Sequence, residues 1–165
     1  MGNSTSPYFP RKLSELGGIN ASFDTAVSPT SDAEYNISFD LWVTRTNPPT
    51  PDSRRVEVMI WVDYQNPWNV QEPNLGRSVI DGEEYLVSKS QSDWTLIEFR
   101  KAKKMRAGSL RIDHFLNLLL SAGHLLGSDY LADVEFGSEI VSGTGSTTIQ
   151  NYSVSILNSD SYKSR

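Results

Sequence analysis

The stretch RRVEVMIWVDY, residues 54–64, alternates with a period of two, a pattern that a helix cannot use and a strand can. Val56, Val58 and Ile60 project to one face, and Glu57, Met59 and Trp61 to the other. The first face is an ordinary core. The second is not, because a solvated face gains nothing from a thioether and an indole, and a fully buried face excludes an ionisable acid. A concave surface, neither bulk water nor core, accommodates all three.

The same alternation recurs along the chain. In YNISFDLWV (35–43), Ile37, Phe39, Leu41 and Val43 share one face, and Asn36, Ser38, Asp40 and Trp42 the other. SVIDGEEYLV (78–87) carries the hairpin signal Asp81-Gly82 between two short runs. DWTLIEFR (93–100), YLADVEFGSEI (130–140) and TIQNYSVSIL (148–157) are further strands, and INASFDTAVS (19–28) is a weaker one. TRTNPPTPDS (44–53) holds three prolines and reads as a loop. NPWNVQEPNLG (66–76) is a second loop, long enough to be functional, with Trp68 exposed unless it packs on something. One segment departs from the pattern. SLRIDHFLNLLLSAG (109–123) predicts a single amphipathic helix with Ser109 as N-cap and Gly123 as its stop. Many strands and one helix in 165 residues predict one all-β domain over 1–165, with 158–165 as a tail. The architecture expected is a β-sandwich with antiparallel pairing.

Composition removes several function classes. A net charge of −5 lacks the basic footprint of a nucleic-acid binder, and the local run RKAKKMR (100–106) reads as a solvated loop or rim. There is no cysteine, so there is no disulfide, thiolate metal site or cysteine nucleophile. The two histidines, His114 and His124, lie in no HExxH or GxSxG context and read as ordinary helix and helix-end residues. No apolar run reaches the length of a membrane span. The opening MGNSTSPYFP has no signal-peptide character, so any export signal is expected to lie outside this chain.

What remains is the acidic face. Asp40 and Trp42 share it on one strand, Glu57, Met59 and Trp61 on another, and Glu135 and Glu139 on a third. Were those strands neighbours, four acids would converge in a trough floored by Met and Trp. Two carboxylates across a sugar ring suffice for glycoside hydrolysis, one as nucleophile or base and one as proton donor. Indoles beside them would stack on pyranose faces. Periodicity leaves other readings open: isolated solvated acids, a strand buried on both sides by Met59 and Trp61, or Mg²⁺ or Ca²⁺ ligation by the same carboxylates.

The motifs themselves go further. FDLW, then VEVMIWVDYQ after a Pro-rich loop, then EFGSEIVSGTGSTTIQNYSVSI, resemble the glycoside hydrolase family 12 endoglucanases over roughly residues 30–157. The resemblance implies a jelly roll of two curved antiparallel sheets, the concave one forming an open glucan cleft, with the helix of about 109–123 on the convex side. It implies Glu57 as nucleophile, Glu139 as general acid/base and Asp40 as the acid that supports the nucleophile. Met59 and Trp61 become cleft floor, with Glu135, Trp42 and Trp68 as further substrate-binding positions. It also implies retaining, internal cleavage of β-1,4-glucans such as cellulose or mixed-linkage glucan, with no metal and no other cofactor. Retention calls for two carboxyls about 5–5.5 Å apart.

Two departures qualify the match. The family usually carries Gln where this chain has Glu135, an acid that would act electrostatically on Glu139, sit protonated or bind substrate hydroxyls. The family's domains also extend further at the N-terminus, by about 50 residues that this chain does not match, leaving a fragment, a shared fold or a reduced variant as explanations. Unpaired sheet edges would then invite self-association of an otherwise monomeric protein. The alternative function is a non-catalytic β-glucan-binding or inactive sandwich. Neither a nucleic-acid nor a membrane partner is expected. A polymeric glucan substrate implies an extracellular, secreted protein, in which the sequons at Asn3, Asn20, Asn36 and Asn151 would matter only in a eukaryotic host.

Overall fold

The computed structural model describes residues 8–66 and 73–157. Ten strands and one α-helix follow in order: β1 (Arg11–Lys12), β2 (Gly18–Pro29), β3 (Glu34–Thr44), β4 (Arg54–Gln65), β5 (Gly76–Ile80), β6 (Glu83–Gln91), β7 (Thr95–Lys101), β8 (Ala107–Arg111), α1 (Ile112–Ser121), β9 (Tyr130–Ser142) and β10 (Gly145–Leu157). Seven strands form one sheet in the order β1-β9-β3-β4-β7-β6-β5, and β10-β2-β8 form a second. The β9–β10 hairpin crosses from one sheet to the other. Among the described residues no helix is long and apolar enough to cross a membrane.

The alternating runs do what their pattern requires. Ile37, Phe39, Leu41 and Val43 of β3 and Val58 and Ile60 of β4 have no exposed surface, and Val56 almost none. They meet Ile19, Ala21 and Phe23 of β2 between the sheets, where Phe23 lies edge-on to Phe39 with centroids 5.4 Å apart, and Phe136 lies 4.5 Å from Phe39. Asp81 and Gly82 both adopt positive φ, 53° and 80°, as the two-residue β5–β6 hairpin demands.

Three expectations are corrected. The helix begins at Ile112, not 109, and ends at Ser121. Residues 107–111 instead pair with β2, Leu110 opposite Ala21 and Ser109 opposite Ser22, so Ser109 is a strand residue and no N-cap. An open edge on β2 satisfies those backbone groups better than a longer helix would. The helix does pack on the side away from the acids: Phe115 contacts Tyr85 and Phe99 edge-on, both on the core face of the large sheet. Second, pairing is not antiparallel throughout. The chain leaves β4, re-enters at the far edge as β5 and returns inward through β6, so β7 lies parallel to β4. Third, the basic run 100–106 is not simply a solvated rim. Arg100 and Lys101 belong to β7 and are buried, with Lys101 Nζ 2.5 Å from Glu83 and Arg106 Nε 2.7 Å from Asp63. The histidines are as expected: His114 lies in α1 beside Asp81, 2.7 Å away, and His124 just beyond the helix end.

Candidate active site

β3 runs between β9 and β4, and its register aligns the three acid-bearing strands. Asp40 stands opposite Met59 on one side and Glu135 on the other, Trp42 opposite Glu57, Ser38 opposite Trp61, and Asn36 opposite Glu139. Paired residues share a face, so Asp40, Glu57, Glu135 and Glu139 all lie on the side of the sheet remote from the core. Glu57 and Glu139 sit on flanking strands at diagonal corners of this patch, with Asp40 between them.

Burial differs across the patch. Glu57 and Asp40 are half-buried, whereas Glu135 and Glu139 are exposed. Burial, then the charges of Glu57, Glu139 and Glu135, push Asp40 up to about 7, against a hydroxyl hydrogen bond from Ser38 at 3.4 Å. Burial also raises Glu57, with the charge of Glu139 acting in the same direction; the indole N–H of Trp94, donating to Glu57 Oε2 at 2.6 Å, and the charge of Arg54 oppose it. Glu139 Oε2 accepts Asn36 Nδ2–H at 2.8 Å, which leaves its other oxygen free of protein donors in that contact. The two half-buried acids, Asp40 and Glu57, thus hold their protons more tightly than ordinary carboxyls do, on a face they share with two exposed acids. Among the described residues, no group of three or more His, Cys, Asp or Glu side chains is placed to hold a metal ion.

The predicted floor residues are present on this face but closed off. Met59 and Trp61 are 4% and 3% exposed, so they support the trough and offer a sugar little ring surface. Trp61 packs 6.1 Å from Tyr64. Accessible indole lies with Trp42 instead, which meets Trp94 edge-on at 5.6 Å. Trp68 falls outside the described residues. Asn36 has no exposed surface, so its sequon is unavailable in the folded chain.

Three residues of the surface escape sequence reasoning. Glu98 lies opposite Met59 through the parallel register, is 5% exposed, and accepts Ser88 Oγ–H at 3.0 Å; burial raises its pKa. The alternation of Leu96, Glu98 and Arg100 in β7 carried that signal, but only the β4–β7 pairing assigns it to the acidic face. Trp94 and Arg54 had no local signal. The Arg54 guanidinium carbon stands 5.0 Å from the Trp42 ring and 5.3 Å from the Trp94 ring, a wedge between strands distant in sequence.

Endoglucanase S of Pectobacterium parmentieri is 26% identical over 156 residues, covering 89% of this chain and 58% of that protein. A probable xyloglucan-specific endo-β-1,4-glucanase A of Aspergillus terreus is 27% identical over 159 residues, 93% of this chain and 62% of that protein. The chain therefore spans about three-fifths of the length of these curated relatives. Among solved structures, a family 12 xyloglucanase from Bacillus licheniformis superposes with a TM-score of 0.82 at 28% identity, covering 90% of this chain and 66% of that one. An endoglucanase from Rhodothermus marinus reaches the same TM-score, 0.82, at 20% identity, a likeness of fold alone. The shared architecture is the two-sheet β-jelly roll. The sequence model of glycosyl hydrolase family 12 matches residues 3–157, starting well before the motif-bearing region at residue 30. A match of that extent, on the same fold, makes this chain a member of glycosyl hydrolase family 12.

Proposed function

We propose that the acidic face is the cleft of a retaining, endo-acting β-1,4-glucanase, with cellulose-like and mixed-linkage β-glucans as substrates. The observation that carries this reading is the pair Glu57 and Glu139, on strands flanking β3, with Asp40 between them held near pKa 7. A Glu57 oxygen attacks the anomeric carbon while the glycosidic C–O bond breaks and Glu139 passes its proton to the departing oxygen. Water then attacks the glycosyl-enzyme, Glu139 takes the water proton, and Glu57 leaves as a carboxylate. Two inversions at one carbon give net retention. Asp40, neutral through much of the mildly acidic range, supports Glu57 without adding a second full negative charge beside it. The half-exposed Trp42 and Trp94 rings supply apolar surface for pyranose faces, and no step calls for a cofactor. A polymeric substrate places the work outside the cell.

Reducing-sugar release from carboxymethylcellulose, barley β-glucan and xyloglucan tests the reading. Glu57→Gln and Glu139→Gln are each expected to lower the rate at least about a hundredfold. NMR of the first product is expected to carry the β-anomer; an α-anomer would refute the double displacement. A second reading, glucan binding without hydrolysis, draws on the chain's span of 58% and 62% of its relatives. A folded parent that binds glucan, is inactive on all three polymers and is indifferent to both substitutions would favour it.

A further inference from the structure

We infer that Trp94 is a positioning residue for Glu57: its indole N–H occupies Oε2 and holds the side chain as a carboxylate with the other oxygen presented to the trough. The inference rests on the proposed nucleophilic role of Glu57. Trp94 enters from the turn between β6 and β7, thirty-seven positions further along the chain, and its Nε1–H donates to Glu57 Oε2 at 2.6 Å. Indole N–H is a donor only, and it neither accepts nor releases a proton in the working range. Such a partner favours the ionised acid over the neutral one and forms a short, charge-assisted bond. A nucleophile needs that bias here, since burial and the surrounding acids act against ionisation.

Trp94 is itself held in place. Its ring meets Trp42 edge-on at 5.6 Å, and the Arg54 guanidinium stands against both rings. Arg54 Nε is buried with no hydrogen-bond partner among the described residues, so this part of the cation is committed to the indoles. The stack orients the indole and brings a positive charge to the same end of the trough. Other charged groups on this face are Asp40 from β3, Asp133, Glu135 and Glu139 from β9, and Glu98 and Arg100 from β7. Against that largely negative surround, the indole gives Glu57 a neutral donor. The arrangement explains why a tryptophan in a turn, with no alternation to dictate it, stands beside the acidic strand.

The test is a titration of the full chain followed by NMR. With ¹³C-carboxyl-labelled glutamate, the Glu57 signal is the one lost in Glu57→Gln, and the Trp94 indole N–H is the one lost in Trp94→Phe. The Trp94 indole resonance is expected to shift with the same midpoint as the Glu57 carboxyl, and to stop titrating in Glu57→Gln. Trp94→Phe keeps an aromatic ring in the stack and removes the donor; it is expected to raise the Glu57 midpoint by about one pH unit. In an active enzyme the acid limb of kcat/KM moves up by the same amount, and kcat falls about tenfold with KM little changed. Trp42→Phe, which disturbs the same stack but keeps the Trp94 N–H, is expected to leave the Glu57 midpoint in place. An unchanged Glu57 midpoint in Trp94→Phe, or equal movement in both variants, would overturn the inference. Inactivity of the parent on every glucan would instead count against the proposed function, since the carboxyl and indole titrations need no turnover.

Discussion

Asp40→Asn gives the most quantitative test of the acidic trough, because it keeps the shape of the side chain and removes only its ability to ionise. Burial first, and the charges of Glu57, Glu139 and Glu135 after it, raise Asp40 from its ordinary 3.8 to about 7. An acid raised on folding binds its proton more tightly in the folded chain than in the unfolded one. Its stabilising contribution is therefore fully present below pH 3.8 and is lost as pH rises through about 7. Roughly three powers of ten in proton affinity correspond to ~4 kcal/mol. Water at the open side of the trough and relaxation of neighbouring acids reduce the expected figure to about 2 kcal/mol. Urea unfolding of parent and variant at about pH 4.5 and about pH 8 measures it directly. The parent is expected to lose stability between the two, and the variant's advantage over it to grow by ~2 kcal/mol. Glu57 and Glu98, also raised, add to the parent's decline in the same direction. A stability gap that does not vary with pH, or a parent more stable than the variant at the higher pH, would show that Asp40 is not held as described.

Other substitutions probe the frame that carries the trough. Phe39→Ala empties a site with no exposed surface between Phe23 and Phe136, and should cost about 3–5 kcal/mol by urea unfolding. Asp113→Ala removes the acceptor for the Ile19 N–H at 2.9 Å and for Arg111 Nε and Nη2; a loss of about 2–3 kcal/mol is expected, with Asp113→Asn losing less. Gly143 has φ of +83°, and an added Cβ would lie 2.5 Å from Ala33 Cα, so Gly143→Ala should destabilise the β9–β10 turn by about 2 kcal/mol or more. A fall much smaller than these in thermal or urea midpoints would mean that the region repacks.

Much of this molecule can be read along the chain because strands impose a period of two. Val56, Val58 and Ile60 against Glu57, Met59 and Trp61 needed no structure to be divided between faces, and Asp81-Gly82 announced its hairpin through the positive φ both residues adopt. Local rules failed where the deciding partner was remote. Ser109 and Leu110 have the look of a helix start, yet the open edge of β2 claims them as strand. Arg100 and Lys101 look like a solvated run, yet the inward return of the chain makes their strand an interior one of the large sheet.

The acids divide along the same line. Which side of its own strand each of Asp40, Glu57, Glu135 and Glu139 occupies was determined by the sequence alone, through the alternation of side chains along a pleated backbone. That β9, β3 and β4 are neighbours, and that the parallel β7 adds Glu98 to the same face, was decided only by the tertiary structure. The hydrogen bond of Trp94 to Glu57 belongs to that second class. Alternation is a property of a few consecutive residues, whereas strand order and long-range donors depend on how the whole chain buries its apolar faces.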